Sequence, residues 1–206
     1  RSVGMDEKSS EEILRIINAE DRTVPEAVAD AILEIAEGVE AIAETVLIGG
    51  RVFFLGAGTS GRLGVLEASE VPPTFGVSPD LFKALLSRGK GGVFGSVEAS
   101  EDDNTSGGRA LVDHDFAEKD LLVAISASGR TPFALGAMSV ATSLGARIVA
   151  ITNNRGSEMG ELADVSIVVD TGPEVVSGST RMKAGTAQKL VLNMLTTAAM
   201  TRLGRV

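Results

Sequence analysis

The chain has no cysteine, no tryptophan, no tyrosine and only one histidine. Without thiols there is no disulfide, no thiolate zinc site and no cysteine nucleophile, a composition suited to the cytoplasm. The single histidine, His114, cannot build a histidine metal cluster within one chain, and its DHDF surroundings read as a surface turn. Any proton transfer therefore falls to carboxylates. Positive charge is also scarce. Nineteen Lys and Arg against 28 Asp and Glu leave a formal net charge of −9, which argues against a nucleic-acid partner. A single phosphate held by backbone amides is still compatible with that charge. The longest apolar stretches, at 43–50 and 190–200, are too short or too interrupted to act as a signal peptide or membrane span.

What is present is ordinary for a globular protein: 206 residues, 44% of them hydrophobic, enough for one domain with a helical annex. Residues 1–50 read as an N-terminal helical segment. Ser9 with Glu12, and Thr23 with Glu26, fit capping boxes, and Pro25 suits a first turn. Apolar residues at three- and four-residue steps predict one long amphipathic helix over 28–47. From 51 to 206 short apolar runs at 52–55, 81–86, 121–125, 148–151 and 165–169 alternate with helical segments, and a last helix spans 179–203. Near-continuous apolar strands between helices imply an α/β fold, a doubly wound five-stranded parallel sheet with its ligand crevice at the carboxyl ends of the strands.

Two of those strands run into glycine turns loaded with hydroxyls. The first, GAGTSG at 56–61, satisfies the G-x-G-x-x-G spacing of dinucleotide loops. The second strand, however, ends Leu85-Leu86-Ser87-Arg88, without the acid that binds a ribose. The other turn, Ser126-Ala127-Ser128-Gly129-Arg130-Thr131 before Pro132, opens a further helix. Helix N-termini offer unpaired amides and a positive dipole end. With Thr59 and Ser60 on one turn and Ser126, Ser128 and Thr131 on the other, the pair reads as a monophosphate cradle. Candidate carboxylates are Glu70 in LEASEVPP, and Glu98 and Glu101 in SVEASEDD. Each also fits a solvated helix end, and Glu70 lies roughly 15 Å along the helix axis from its own loop. It can serve a substrate held partly by another subunit, or the chain can turn back at Pro72-Pro73. Arg181 and Lys183 oppose the dipole of the last helix, so a ligand or a partner carboxylate must relieve them. Ser179 is the remaining candidate there.

GAGTSGRLGVLEASEVPPTFG, ASGRTPFALGA and GSTRMKAGTAQKLVLNML resemble the signature blocks of the N-acetylmuramic acid 6-phosphate etherases. That family belongs to the sugar isomerase (SIS) superfamily and is related to the glucokinase regulatory protein. The resemblance runs from about residue 10 to 206 and implies a flavodoxin-like SIS sheet that works as a homodimer without metal or organic cofactor. It implies loss of D-lactate from C3 of the sugar phosphate during peptidoglycan recycling, giving N-acetylglucosamine 6-phosphate. It further implies an acid–base pair, Glu101 as base at C2 and Glu70 as acid at the lactate oxygen. Phosphate ligands implied are Ser60, Ser126, Ser128 and Thr131. Family members continue past the RLGRV ending with further helices, and their counterpart of 87–96 is a more regular turn and helix. A non-catalytic sugar-phosphate sensor and an aldose–ketose isomerase are the alternative readings.

Overall fold

The computed structural model describes residues 4–95 and 101–206. A 3-10 turn at Met5–Glu7 precedes α1 (Ser10–Asp21), α2 (Val24–Ala29) and α3 (Ile32–Leu47). Then follow β1 (Val52–Gly56), α4 (Gly58–Phe75), β2 (Phe82–Leu86), α5 (Gly91–Phe94) and α6 (Asn104–Val112). The second half contains β3 (Leu121–Ser126), α7 (Pro132–Ser143), β4 (Arg147–Thr152), α8 (Glu158–Leu162), β5 (Val165–Val168) and α9 (Lys183–Arg202). The five strands form one parallel sheet in the order β2-β1-β3-β4-β5.

Each strand is largely buried, yet its side chains still alternate between two cores. Val52, Phe54, Val123, Ile125 and Val149 meet α2, α3 and α9 on one face, where Ile35, Ile42, Val191 and Leu195 complete the cluster. Phe53, Leu55, Leu122, Ala124 and Ile148 face α6, α7 and α8 on the other, against Leu111, Phe133, Ala137 and Met159. At the amino ends of the strands, Arg51 donates to the buried Asp120 and its guanidinium lies 4.9 Å from the centre of the Phe53 ring.

All five expected strands are present, and several helical expectations need correction. The long helix over 28–47 is interrupted at Asp30-Ala31, which lets Val24 and Val28 of α2 and Ile35 and Val39 of α3 enter the same core. Ser9 and Glu12 do form a capping box, but Thr23 is already helical and its hydroxyl donates to the Glu20 carbonyl instead. The chain does not turn back at Pro72-Pro73: both prolines lie inside α4, which runs on to Phe75. Their missing N–H groups leave the Ala68 and Ser69 carbonyls without helical donors. The last helix begins at Lys183 rather than 179, because Ser179–Met182 form turns.

Candidate active site

The strand order reverses between β1 and β3, and the two glycine–hydroxyl loops leave the sheet there side by side. Tight packing accounts for two of the first loop's glycines. A Cβ on Gly61 would collide with the Gly56 carbonyl and with Leu86, and one on Gly56 would lie 2.8 Å from the Ile125 carbonyl oxygen. Gly58 differs. Its φ is +53°, and a Cβ there would sit 2.9 Å from Oε1 of Glu101. The Glu101 carboxylate therefore rests against the start of α4, a helix whose N-cap residue, Ala57, makes no side-chain capping bond. The Glu101 carbonyl accepts the Phe133 N–H at 3.0 Å, so the same residue is pinned to the first turn of α7. Glu101 bridges the two loops at the switch point.

In the second loop three hydroxyls cluster. Ser126 Oγ lies 2.8 Å from Thr131 Oγ1 and 3.3 Å from Ser128 Oγ, and it accepts the Gly129 N–H at 3.0 Å. Thr131 occupies the N-cap of α7 without capping it; its hydroxyl is turned to Ser126. Ser126 is buried and Ser128 exposed, so the cluster opens outward through Ser128. Beside it, at the exits of β4 and β5, lies a cavity of about 330 Å³ lined by Ala127, Asn153, Asp170, Thr171 and Glu174 among others. A larger and more apolar hollow of about 690 Å³ follows the outer edge of β2 and contains none of these hydroxyls.

The other expected residues fall into two groups. Thr59 is brought against the first turn of α9: a Cβ on Gly185 would lie 3.3 Å from its methyl. Ser60 is buried and donates to Oε1 of Gln188 at 2.9 Å. Ser179 and Arg181 lie in the turns ahead of α9, with Arg181 exposed. Lys183 is buried, and its ammonium is bonded to Glu20 of α1 at 2.7 Å. At the same helix start, the Glu174 carboxylate accepts the Lys183 and Ala184 N–H groups at 3.0 Å each. Partner carboxylates, rather than a ligand, thus answer the positive charge of Lys183. Glu70 is exposed on α4, well along the helix from Ser60. Glu98 lies outside the described residues. His114 is exposed, with Nδ1 2.9 Å from the Ala110 carbonyl. Among the described residues no group of His, Asp or Glu side chains is arranged to hold a metal, and no helix is long and apolar enough to cross a membrane.

Sequence reasoning missed Gln188, Asn153 and Glu67. Gln188 donates to Asn153 Oδ1, and Asn153 in turn donates to the Val169 carbonyl. Glu67, buried in α4, accepts from Asn193 at 2.8 Å and Thr196 at 2.6 Å and thereby clamps α4 to α9. The available signal was a polar residue on an apolar helical stripe: Gln188 falls in step with Ala184, Val191 and Leu195.

Residues 34–142 match the glucokinase regulatory protein N-terminal SIS domain, and residues 103–198 match the SIS domain. An N-acetylmuramic acid 6-phosphate etherase of Oceanobacillus iheyensis is 48% identical over the whole chain, which spans 70% of that protein. Another, from Aliivibrio salmonicida, is 52% identical over 98% of this chain and 67% of its own length. The chain belongs to the N-acetylmuramic acid 6-phosphate etherase family. Solved structures share the fold of this etherase family member at low sequence identity. A putative sugar-phosphate isomerase from Listeria monocytogenes superposes with a TM-score of 0.67 at 17% identity, covering 96% of this chain and 93% of that one. Phosphoheptose isomerase GmhA from Neisseria gonorrhoeae gives 0.68 at 15%, covering 94% and 100%. The Vibrio vulnificus NanR protein complexed with ManNAc-6P gives 0.63 at 17%, covering 92% and 63%.

Proposed function

We propose that this etherase family member cleaves the D-lactyl ether of N-acetylmuramic acid 6-phosphate, with Glu101 as base and Glu70 of a second copy as acid. The observation that carries the reading is the Glu101 carboxylate held against Gly58, between the start of α4 and the hydroxyl cluster of the second loop. A phosphate bound between those loops is met by the amides and positive dipole ends of the two helix starts and by hydroxyl donors. The sugar then extends past Glu101.

In the ring-opened sugar, the C2 proton lies next to an aldehyde. Glu101 removes it, the C3–O bond breaks, and the lactate oxygen takes a proton from the carboxylic acid of Glu70. Water adds across the resulting double bond: its oxygen joins C3, its proton goes to Glu70, and Glu101 returns a proton to C2. Each carboxyl ends in the state in which it began. C3 is only three bonds from C6, so a sugar anchored by its phosphate at one end of α4 falls short of the same chain's Glu70, roughly 15 Å along the helix. An exposed Glu70 on a second copy removes that difficulty, and the working unit is then a homodimer.

Mixing two inactive variants tests this. Glu70→Gln and Glu101→Gln should each lose lactate release. Unfolded and refolded together, they should regain about a quarter of wild-type activity, because half the dimers are mixed and each has one intact site. Full activity in either single variant would overturn the acid–base pair; no recovery on mixing would return Glu70 to its own chain. Binding of the sugar phosphate without lactate release by the wild-type protein would support the regulatory reading.

A further inference from the structure

The proposed substrate carries two anions. Its phosphate is met by the two helix starts and their hydroxyls, but the carboxylate of its lactyl arm has no partner in that cradle. Entering the crevice beside the Glu101 carboxylate, it is repelled unless a cation lies close. Cations near the switch point are few. Lys183 is bonded to Glu20. Arg130 and Arg181 are exposed, one on the second loop and the other on the turns ahead of α9. Arg62 of α4 is different. It is half-buried, and its Nε donates to the Val93 carbonyl at 3.0 Å. That bond fixes the plane of the guanidinium. Its two Nη groups make no hydrogen bond or ion pair with any described residue. The fork that matches a carboxylate is therefore both held and open.

The place of Arg62 on the helix points to its occupant. Gly58 and Arg62 are four residues apart, so they share one face of α4, separated by roughly 6 Å along the axis. The Glu101 carboxylate rests at the Gly58 end of that face. In the substrate, C2 is joined to the carboxylate carbon through C3, the ether oxygen and the lactyl carbon. Those bonds span on the order of 5 Å. With C2 at Glu101, the lactyl arm is thus long enough to reach the Arg62 fork.

We propose that Arg62 is a specificity-determining residue that receives the lactyl carboxylate of the substrate in two parallel N–H···O bonds. It distinguishes substrate from product: N-acetylglucosamine 6-phosphate has a neutral hydroxyl at C3 and leaves the fork empty. Lactate, once cut from C3, keeps only this contact. The proposal rests on the etherase reading above, and its test reads binding apart from turnover.

The experiment is a calorimetric titration in a Glu101→Gln background, which prevents turnover, with Arg62 intact or replaced in Arg62→Gln and Arg62→Lys, each fold checked by circular dichroism. The ligands are N-acetylmuramic acid 6-phosphate, the same compound with its lactyl carboxylate converted to a primary amide, and N-acetylglucosamine 6-phosphate. Arg62→Gln should weaken binding of N-acetylmuramic acid 6-phosphate about tenfold to a hundredfold, the loss of hydrogen bonds to a charged group. Binding of N-acetylglucosamine 6-phosphate should change by less than about threefold. Arg62→Lys keeps the charge but loses the fork, so its affinity should fall between the two. Amidation should weaken binding to the protein with Arg62 by about the same factor as Arg62→Gln, and binding to Arg62→Gln hardly at all. Equal weakening of both sugar phosphates by folded Arg62→Gln would overturn the proposal and leave Arg62 only its bond to Val93. Equal affinity of the protein with Arg62 for acid and amide would overturn it too, and that comparison needs no Arg62 variant. Absence of lactate release from wild-type protein, with these affinities as expected, would instead count against the etherase reading alone.

Discussion

Replacing Gly58 by alanine probes the placement of Glu101 through a residue that has no chemistry of its own. Two effects follow from the geometry. At φ +53° an L-residue is strained, by about 1–2 kcal/mol. That predicts a Tm lower by about 2–8 °C in a protein of this size. Separately, the new Cβ would lie 2.9 Å from Glu101 Oε1, whereas ordinary contact begins at 3.4 Å, so the carboxylate must retreat by 0.5 Å. Misplacing a reacting group by about 1 Å can lower a rate about a hundredfold. Half that displacement predicts a fall in kcat/KM of about tenfold, near 1.4 kcal/mol of transition-state stabilisation. Gly49→Ala separates the two effects: Gly49 has φ +76° with nothing within 4 Å of its Cβ position. It should lose comparable stability while releasing lactate at the wild-type rate. The assay is D-lactate release from N-acetylmuramic acid 6-phosphate, alongside thermal melts of both variants. If Gly58→Ala retains kcat/KM within about threefold of Gly49→Ala, Glu101 does not work from its position against α4.

Lys183→Met should leave phosphate affinity unchanged and lower the urea midpoint, because removing one partner of a buried ion pair costs about 3 kcal/mol and the ammonium is committed to Glu20; equal loss of phosphate binding would restore it as a ligand. Asp120 predicts a pH effect. Burial pushes its carboxyl upward, but the Arg51 side chain and the Arg51 and Ala117 amides outweigh that and hold it below the ordinary value. A depressed carboxyl contributes stability above its unfolded pKa of about 3.9, and that contribution is lost as pH falls through the lower folded value. Urea midpoints of wild type should therefore fall more steeply than those of Asp120→Asn as pH drops below about 4, and parallel curves would refute the assignment.

Local signals were enough for the sheet and its loops. A run such as Leu121-Leu122-Val123-Ala124-Ile125 has no amphipathic face, so it announces burial on both sides wherever it occurs. Glycine and hydroxyl residues after two such runs announce tight turns opening helices. The break at Asp30-Ala31 was not legible, because the same spacing of apolar residues serves one helix or two, and only the packing of Val28 and Ile35 into one core distinguishes them. The site divides along the same line. Which residue types gather at the switch point could be read along the chain; which groups they face could not. Glu70 and Glu101 look equivalent as helix-end acids, yet one carboxylate reaches Gly58 and the other is exposed on the outside of α4. Lys183 and Glu20 are 163 positions apart, and Ser60 and Gln188 are 128 apart. Composition and periodicity constrain only near neighbours, so pairings at such separations arise when helices dock, since burial forces each buried polar group to find its partner. Along the chain the sequence determined a parallel sheet with two hydroxyl-rich turns at its switch point. The tertiary structure alone decided that Glu101 faces those turns, that Lys183 is turned away to Glu20, and that Ser60 is bonded to Gln188.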